Sequence, residues 1–135
     1  MTDLSNLDLV HSISADWERG DYSQTGWAHP EIEWVIAVGS EPARSTGPEA
    51  MAMMWRDLLS TVEDYRSQPD EFRQIDRERV LVLGHRSGHG KMSGLDLGQI
   101  QNQGAALFHV RDGKVTRLVV YTDRDRALAD LGLEA

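Results

Sequence analysis

Three of the chain's 5 histidines, His85, His89 and His109, fall in its second half. Imidazole changes charge near neutral pH, so it suits both proton transfer and metal binding. The spacing of the three fits no compact metal-ligand pattern, and the absence of cysteine removes thiolate ligands, thiolate nucleophiles and disulfides. No metal and no cofactor is expected. What is left to His85 and His109 is the role of general acid or base. The competing reading of both is a strand histidine that faces solvent or has its hydrogen bonds satisfied by the fold. His89 stands between Gly88 and Gly90 and reads as part of a loop. Asp123 is a third candidate for proton transfer, but it directly precedes Arg124 and a short helical pattern, a position that suits an N-cap.

Other chemistry-bearing residues are less specific. Gly84, Gly88, Gly90, Gly94 and Gly98 stand close together, yet no strand-to-helix phosphate loop follows them. They read as a flexible hairpin or lid. Trp17, Trp27, Trp34 and Trp55 bring four large rings to a small chain, with pocket mouth and aromatic core as the two uses open to them. The acids Asp57, Glu63, Asp64, Asp70, Glu71 and Asp76 read as a solvated face.

The elements that must position these groups follow from periodicity. Leu7, Val10, Ile13, Ser14 and Trp17 recur at helical steps, with Ser5 and Asp8 placed as a capping pair and Gly20 as the stop. Asp21 to Pro30 reads as a short helix or turn closed by Pro30. From Glu31 to Val38 the residues alternate with period two, which predicts a strand with one buried face. Gly39 to Gly47 is a loop by composition, and Pro48-Glu49 opens a second helix with Met51, Met54, Trp55, Leu58 and Leu59 on its buried stripe. Four strands follow, from Thr61 to Gln74, Val80 to His85, Gly104 to Arg111 and Val115 to Thr122. Pro69 makes the first of these an edge strand, because proline cannot donate to a central ladder. Arg111-Asp112-Gly113-Lys114 is a hairpin signal, and Arg124 to Leu131 forms a last helix ending at Gly132.

Strands grouped together, without sustained strand-helix alternation, predict an α+β domain with helices on one side of a mostly antiparallel, curved sheet. At 135 residues, one domain spanning 1–135 is expected. A formal net charge of -8 argues against nucleic acid as a partner, and no apolar run approaches the ~20 residues of a membrane helix. With no secretory pattern near Met1, the expected location is cytoplasmic.

Several patterns, taken in order, resemble the SnoaL-like branch of the nuclear transport factor 2-like superfamily. They are Trp17 with Arg19-Gly20-Asp21, His29-Pro30-Glu31-Ile32-Glu33-Trp34, Gly47 before the second helix, Arg79-Val80-Leu81-Val82, and Ser93-Gly94-Leu95. The hairpin Arg111 to Val115 and the close from Tyr121-Thr122-Asp123-Arg124 to Leu131-Gly132-Leu133 complete the set. The resemblance implies a cone-shaped sheet wrapped around a pocket, with about three helices, often paired into a homodimer through the sheet's outer face. It implies no single activity, because that superfamily includes polyketide cyclases, ketosteroid isomerases, limonene-epoxide hydrolases, dehydratases and proteins that only bind or assemble.

Cyclase-like and epoxide-hydrolase-like members carry a catalytic aspartate on the last strand, and the matching position here is Val120. Valine carries no proton. The epoxide hydrolases' arginine and aspartate align with Gly84 and Arg86, or with His85 on a shift of one, and their tyrosine and asparagine with Trp34 and Ile36. Alternation leaves Trp34, Ile36, Val82, Arg86, Leu118 and Val120 on the pocket side. With Trp17 and Trp55 at its mouth, this wall reads as a site for a small apolar or aromatic molecule, and equally as ordinary core. An enzyme of the cyclase, isomerase, dehydratase or hydrolase kind would have to use His85, His109 or Asp123 instead. A third reading is an assembly protein with an exposed apolar sheet face, for which Val119 and Tyr121 are the candidates.

Overall fold

The computed structural model describes residues 6–19, 21, 26–37, 43–92, 95–121 and 123–133; the side chains of 43, 54, 57–59, 61–67, 86, 88–92 and 95–102 lie outside the description. The elements in chain order are α1 (Asn6–Glu18), β1 (Ala28–Ala37), β2 (Ala43–Thr46), α2 (Pro48–Thr61), β3 (Val62–Gln74), β4 (Arg79–Met92), β5 (Leu95–Arg111), β6 (Lys114–Tyr121) and α3 (Arg124–Asp130). The expectations resting on Ser5, Gly20 and residues 22–25 fall outside the described residues.

The strands form one six-stranded sheet in the order β2-β1-β6-β5-β4-β3. Every neighbouring pair is antiparallel except β1 and β6, which run parallel with Trp34 opposite Leu118 and Ile36 opposite Val120. Pro69 does lie in an edge strand, β3, at the end of the order. The ladder is irregular there, because Pro69 pairs with Gly84 and Glu71 with Leu83, leaving Asp70 as an extra residue. The turn joining β5 to β6 has positive φ at Asp112 (53°) and Gly113 (76°), the geometry of a two-residue hairpin loop.

Four expectations are corrected. Pro30 lies inside β1 and does not close the segment before it; the β1–β6 pairing shifts between Ala28 and Glu33, so no ladder bond is asked of the proline there. Ala43–Thr46 is a short strand on β1, hidden in the sequence by its lack of apolar alternation. The glycine-rich stretch forms the hairpin of the two readings given for it, with Gly88 opposite Ile100 and Met92 opposite Leu95, and His89 lies in β4 opposite Gln99 and not in a loop. The helices are not all on one side: α1 and α2 share a core with Trp34, Val82, Phe108 and Leu118, while α3 packs on the opposite face against Val35, Leu81, Leu107 and Val119.

The last of these removes the exposed apolar sheet face. Val119 and Tyr121 retain only 6% and 5% of their accessible surface, because Ala127 and Leu128 of α3 cover that face, with Leu131 and Leu133 packed beside them. α3 is well capped for its length. Asp123 accepts a hydrogen bond from the backbone N–H of Asp125 at 2.9 Å, and Gly132 takes φ 67° so that the N–H of Leu133 can reach the carbonyl of Leu128 at 2.8 Å.

Gly84 marks a close approach of β3 to β4. A Cβ built there would lie 2.5 Å from the backbone oxygen of Gln68 and 3.3 Å from Cα of Pro69. Backbone cannot swing aside as a side-chain tip can, so the edge strand would have to move. Gly84→Ala is expected to lower stability by about 1–3 kcal/mol in urea unfolding. Gly26→Ala, where a Cβ meets nothing within 4 Å, serves as the control. Equal midpoints for the two variants would mean that β3 is free to shift.

Candidate functional site

A cavity lies between α1, α2 and the sheet face they cover. Its walls come from Ser14 and Trp17 of α1, Trp55 of α2, Gln68 and Pro69 of β3, Val82, Gly84 and His85 of β4, Gly104, Ala105, Ala106 and Phe108 of β5, and Val120 of β6. The space exists because small residues meet across strands: Gly84 pairs with Gly104, and Ala106 pairs with both Val82 and Val120. The space open to the centre of a water molecule is about 50 Å³, within a cleft of about 540 Å³ reckoned out to solvent. The inner part would hold roughly three or four waters, so a ring-sized ligand would also occupy the outer cleft.

Aromatic rings hold the two helices against the sheet around this space. Trp17 lies 5.1 Å from Trp55, 5.7 Å from Phe108 and 6.0 Å from Trp27 between ring centroids, and Trp34 lies 5.6 Å from Trp55. These are tilted and edge-to-face contacts, the arrangements that ring quadrupoles favour. The indole N–H of Trp34 is buried without a hydrogen-bond partner among the described residues. Ser14 is the one buried polar side chain among them, 6% exposed on the helix stripe otherwise made of Val10, Ile13 and Trp17.

The expected site residues separate on this geometry. Trp17, Trp55 and Val120 line the cavity. Trp34, Ile36 and Leu118 belong to the same core but stand behind the wall. Arg86 contributes a backbone position opposite Ser67 and Asn102, and its side chain lies outside the described residues, as does that of His89. Ser14, Gln68, Pro69, Gly84, Gly104, Ala106 and Phe108 were not foreseen. The available signal was a run of small residues on adjacent strands, together with a serine on an apolar helix stripe.

None of the three proton-transfer candidates presents its side chain to the cavity. In β4, Val82 and Gly84 face inward, whereas Leu81 and Leu83 pack under α3; His85 follows them on the outer face. Ala105 is likewise an outer-face residue, and both positions border the cavity next to a glycine that faces inward. The His85 ring sits between two β3 side chains, with Nδ1 3.0 and 3.1 Å from the carboxylate oxygens of Asp70 and Nε2 2.8 Å from Oε1 of Gln68. The Asp70 carboxylate accepts the Nδ1 proton, which fixes the ring in place. Arg124, at the start of α3, lies 3.9 Å from the same carboxylate. Asp123 is the N-cap of α3, as its sequence position suggested.

His109 is half-buried on the outer face, in register between Arg79 of β4 and Arg117 of β6. Burial, and then the guanidinium charges of Arg117 and Arg79, push its imidazole below the usual 6.5, while Asp76 and Glu78 pull weakly the other way. The unfolded chain therefore takes up this proton at a higher pH than the folded one. Stability from this group is complete above about pH 6.5 and falls as the pH drops from there through the lowered folded value. His109→Gln should flatten the loss of unfolding free energy between pH 7.5 and pH 5 without altering stability at pH 8; an unchanged slope would show that other groups carry the acid sensitivity.

Among the described residues no group of three histidines, aspartates or glutamates is placed to hold a metal ion, and no helix is long and apolar enough to cross a membrane. Comparison with known proteins places the whole architecture. The structure is similar to a nuclear transport factor 2-like protein from Burkholderia thailandensis, with a TM-score of 0.78 and 18% identity over 98% of this chain and 100% of that one. It is similar to TerC, crystallised with polyporic acid, at a TM-score of 0.70 and 22% identity over 93% and 96% of the two chains. A protein of ketosteroid isomerase-like fold from Catenulispora acidiphila, in complex with trimethylamine, gives 0.69 and 18% over 97% and 96%. No curated protein matches the sequence significantly. The SnoaL-like domain family matches residues 10–118. With that match spanning most of its length, and the sheet, helices and cavity arranged as described, the chain belongs to the SnoaL-like domain family.

Proposed function

We propose that the protein binds a small apolar or aromatic molecule in the cavity between α1, α2 and the sheet. The observation that carries this reading is the makeup of the wall: Trp17, Trp55, Phe108, Val82, Ala106 and Val120 give it an apolar surface, with Ser14 as an isolated polar contact. Few polar groups on an otherwise apolar concave wall are the usual composition of a small-molecule site. Two proteins of the same fold hold small organic molecules, polyporic acid in one and trimethylamine in the other, which supports the use of this architecture for such ligands. An acid-base enzyme is the weaker reading, because Val120 occupies the last-strand position and the rings of His85 and His109 lie on the other face of the sheet.

A homodimer would need a contact other than the part of the outer face under α3.

Titration with toluene, followed by tryptophan fluorescence, tests the reading, since Trp17 and Trp55 border the cavity. A saturable change is expected, and it should vanish in Ala106→Leu, whose larger side chain fills the space. Into a packed core that substitution would cost about 1–3 kcal/mol; into a cavity it should leave the unfolding free energy within about 1 kcal/mol of the wild type. A wild type that shows no saturation, or an Ala106→Leu variant that still binds, would overturn the proposal.

A further inference from the structure

Ser14 is an anomaly of packing. It stands on the buried stripe of α1 with 6% of its surface exposed, between Ile13 and Trp17, where a methyl or larger apolar group would serve the core better. A buried hydroxyl costs free energy unless it is hydrogen-bonded, and this one borders the cavity whose remaining helix-borne walls are the indoles of Trp17 and Trp55. A serine hydroxyl carries one donor and lone-pair acceptors, and the acceptors can take a donor inside the cavity.

We propose, on the footing of the ligand-binding reading above, that Ser14 determines the specificity of the cavity: it selects apolar molecules that carry one hydroxyl or N–H group over hydrocarbons of the same shape. The selection works through an asymmetry. A ligand with a hydroxyl exchanges its bond to water for one to Ser14 Oγ, whereas a hydrocarbon leaves the serine oxygen desolvated and unpaired. Bulk comes from the aromatic and aliphatic wall, and the serine adds a requirement for one polar atom at the α1 side. Gln68 is less suited to that task, because it is exposed and its Oε1 already faces His85 Nε2 at 2.8 Å.

The test is a cycle of two ligands and three proteins. Phenol and toluene share a ring and a number of heavy atoms, so their affinity ratio isolates the hydroxyl. That ratio is measured by tryptophan fluorescence for the wild type, Ser14→Ala and Ser14→Thr, with thermal unfolding of each to confirm the fold. In Ser14→Ala the phenol-to-toluene affinity ratio should fall about tenfold, with toluene bound as well as before or better. Ser14→Thr keeps a hydroxyl and should retain a ratio close to that of the wild type. An unchanged ratio in Ser14→Ala, with toluene still bound, overturns the role of Ser14 and leaves the cavity reading standing. Binding of neither ligand to the wild type overturns both.

Discussion

A sheet covered by α1 and α2 on one face and by α3 on the other cannot rely on simple alternation of apolar and polar residues. Both sets of side chains must be buried along the middle of each central strand. That requirement explains the unbroken apolar runs Trp34-Val35-Ile36-Ala37, Val80-Leu81-Val82-Leu83 and Leu118-Val119-Val120-Tyr121. Odd and even positions belong to different cores: Trp34, Val82 and Leu118 meet the helices α1 and α2, and Val35, Leu81 and Val119 meet α3. The two cores share only the backbone between them. A polar substitution at either parity therefore removes packing from one layer while leaving the other's contacts in place.

The inner layer is where function concentrates, and it owes its shape to unequal residue sizes. Tryptophan and phenylalanine brace the two helices against the sheet, while glycine and alanine on neighbouring strands withhold volume from the same layer. A sheet face lined evenly with valine and leucine would close this gap by packing density alone. Trp17 is the joint of the arrangement, since one ring touches Trp27, Trp55 and Phe108 and so ties α1 to α2 and to β5.

Much of the fold was legible in the sequence because local chemistry and global structure agree there. Proline at the start of α2, Asp112-Gly113 between β5 and β6, Asp123 before α3 and Gly132 after it each impose a backbone geometry by their own stereochemistry. Pro69 announced an edge strand for the same reason. What was not legible depends on tertiary partners. The runs of β1 and β6 were read as one-sided, and only the docking of α3 shows why Val35 and Tyr121 are apolar. The site was half legible: Trp17, Trp55 and Val120 follow from periodicity, but whether Trp34 and Leu118 reach a cavity depends on their neighbours' size, which no pattern along a single strand encodes. Strand parity alone could have put the ring of His85 with Leu83 and away from Gly84, had the outer layer been recognised.

The parallel pairing of β1 with β6 joins segments near opposite ends of the described chain, with Val35 beside Val119. β1 has only the four-residue β2 as its other neighbour, so its place in the sheet waits until β6 has been synthesised. During translation the chain can build the hairpin arms of β3, β4 and β5 in order, but it cannot close the aromatic layer, because Trp34 reaches Trp55 only from a docked β1. Contacts between distant segments make folding slow relative to chains dominated by local contacts. Closure of the aromatic layer is thus tied to a long-range pairing, that of β1 with β6, and not to local collapse of the helices alone.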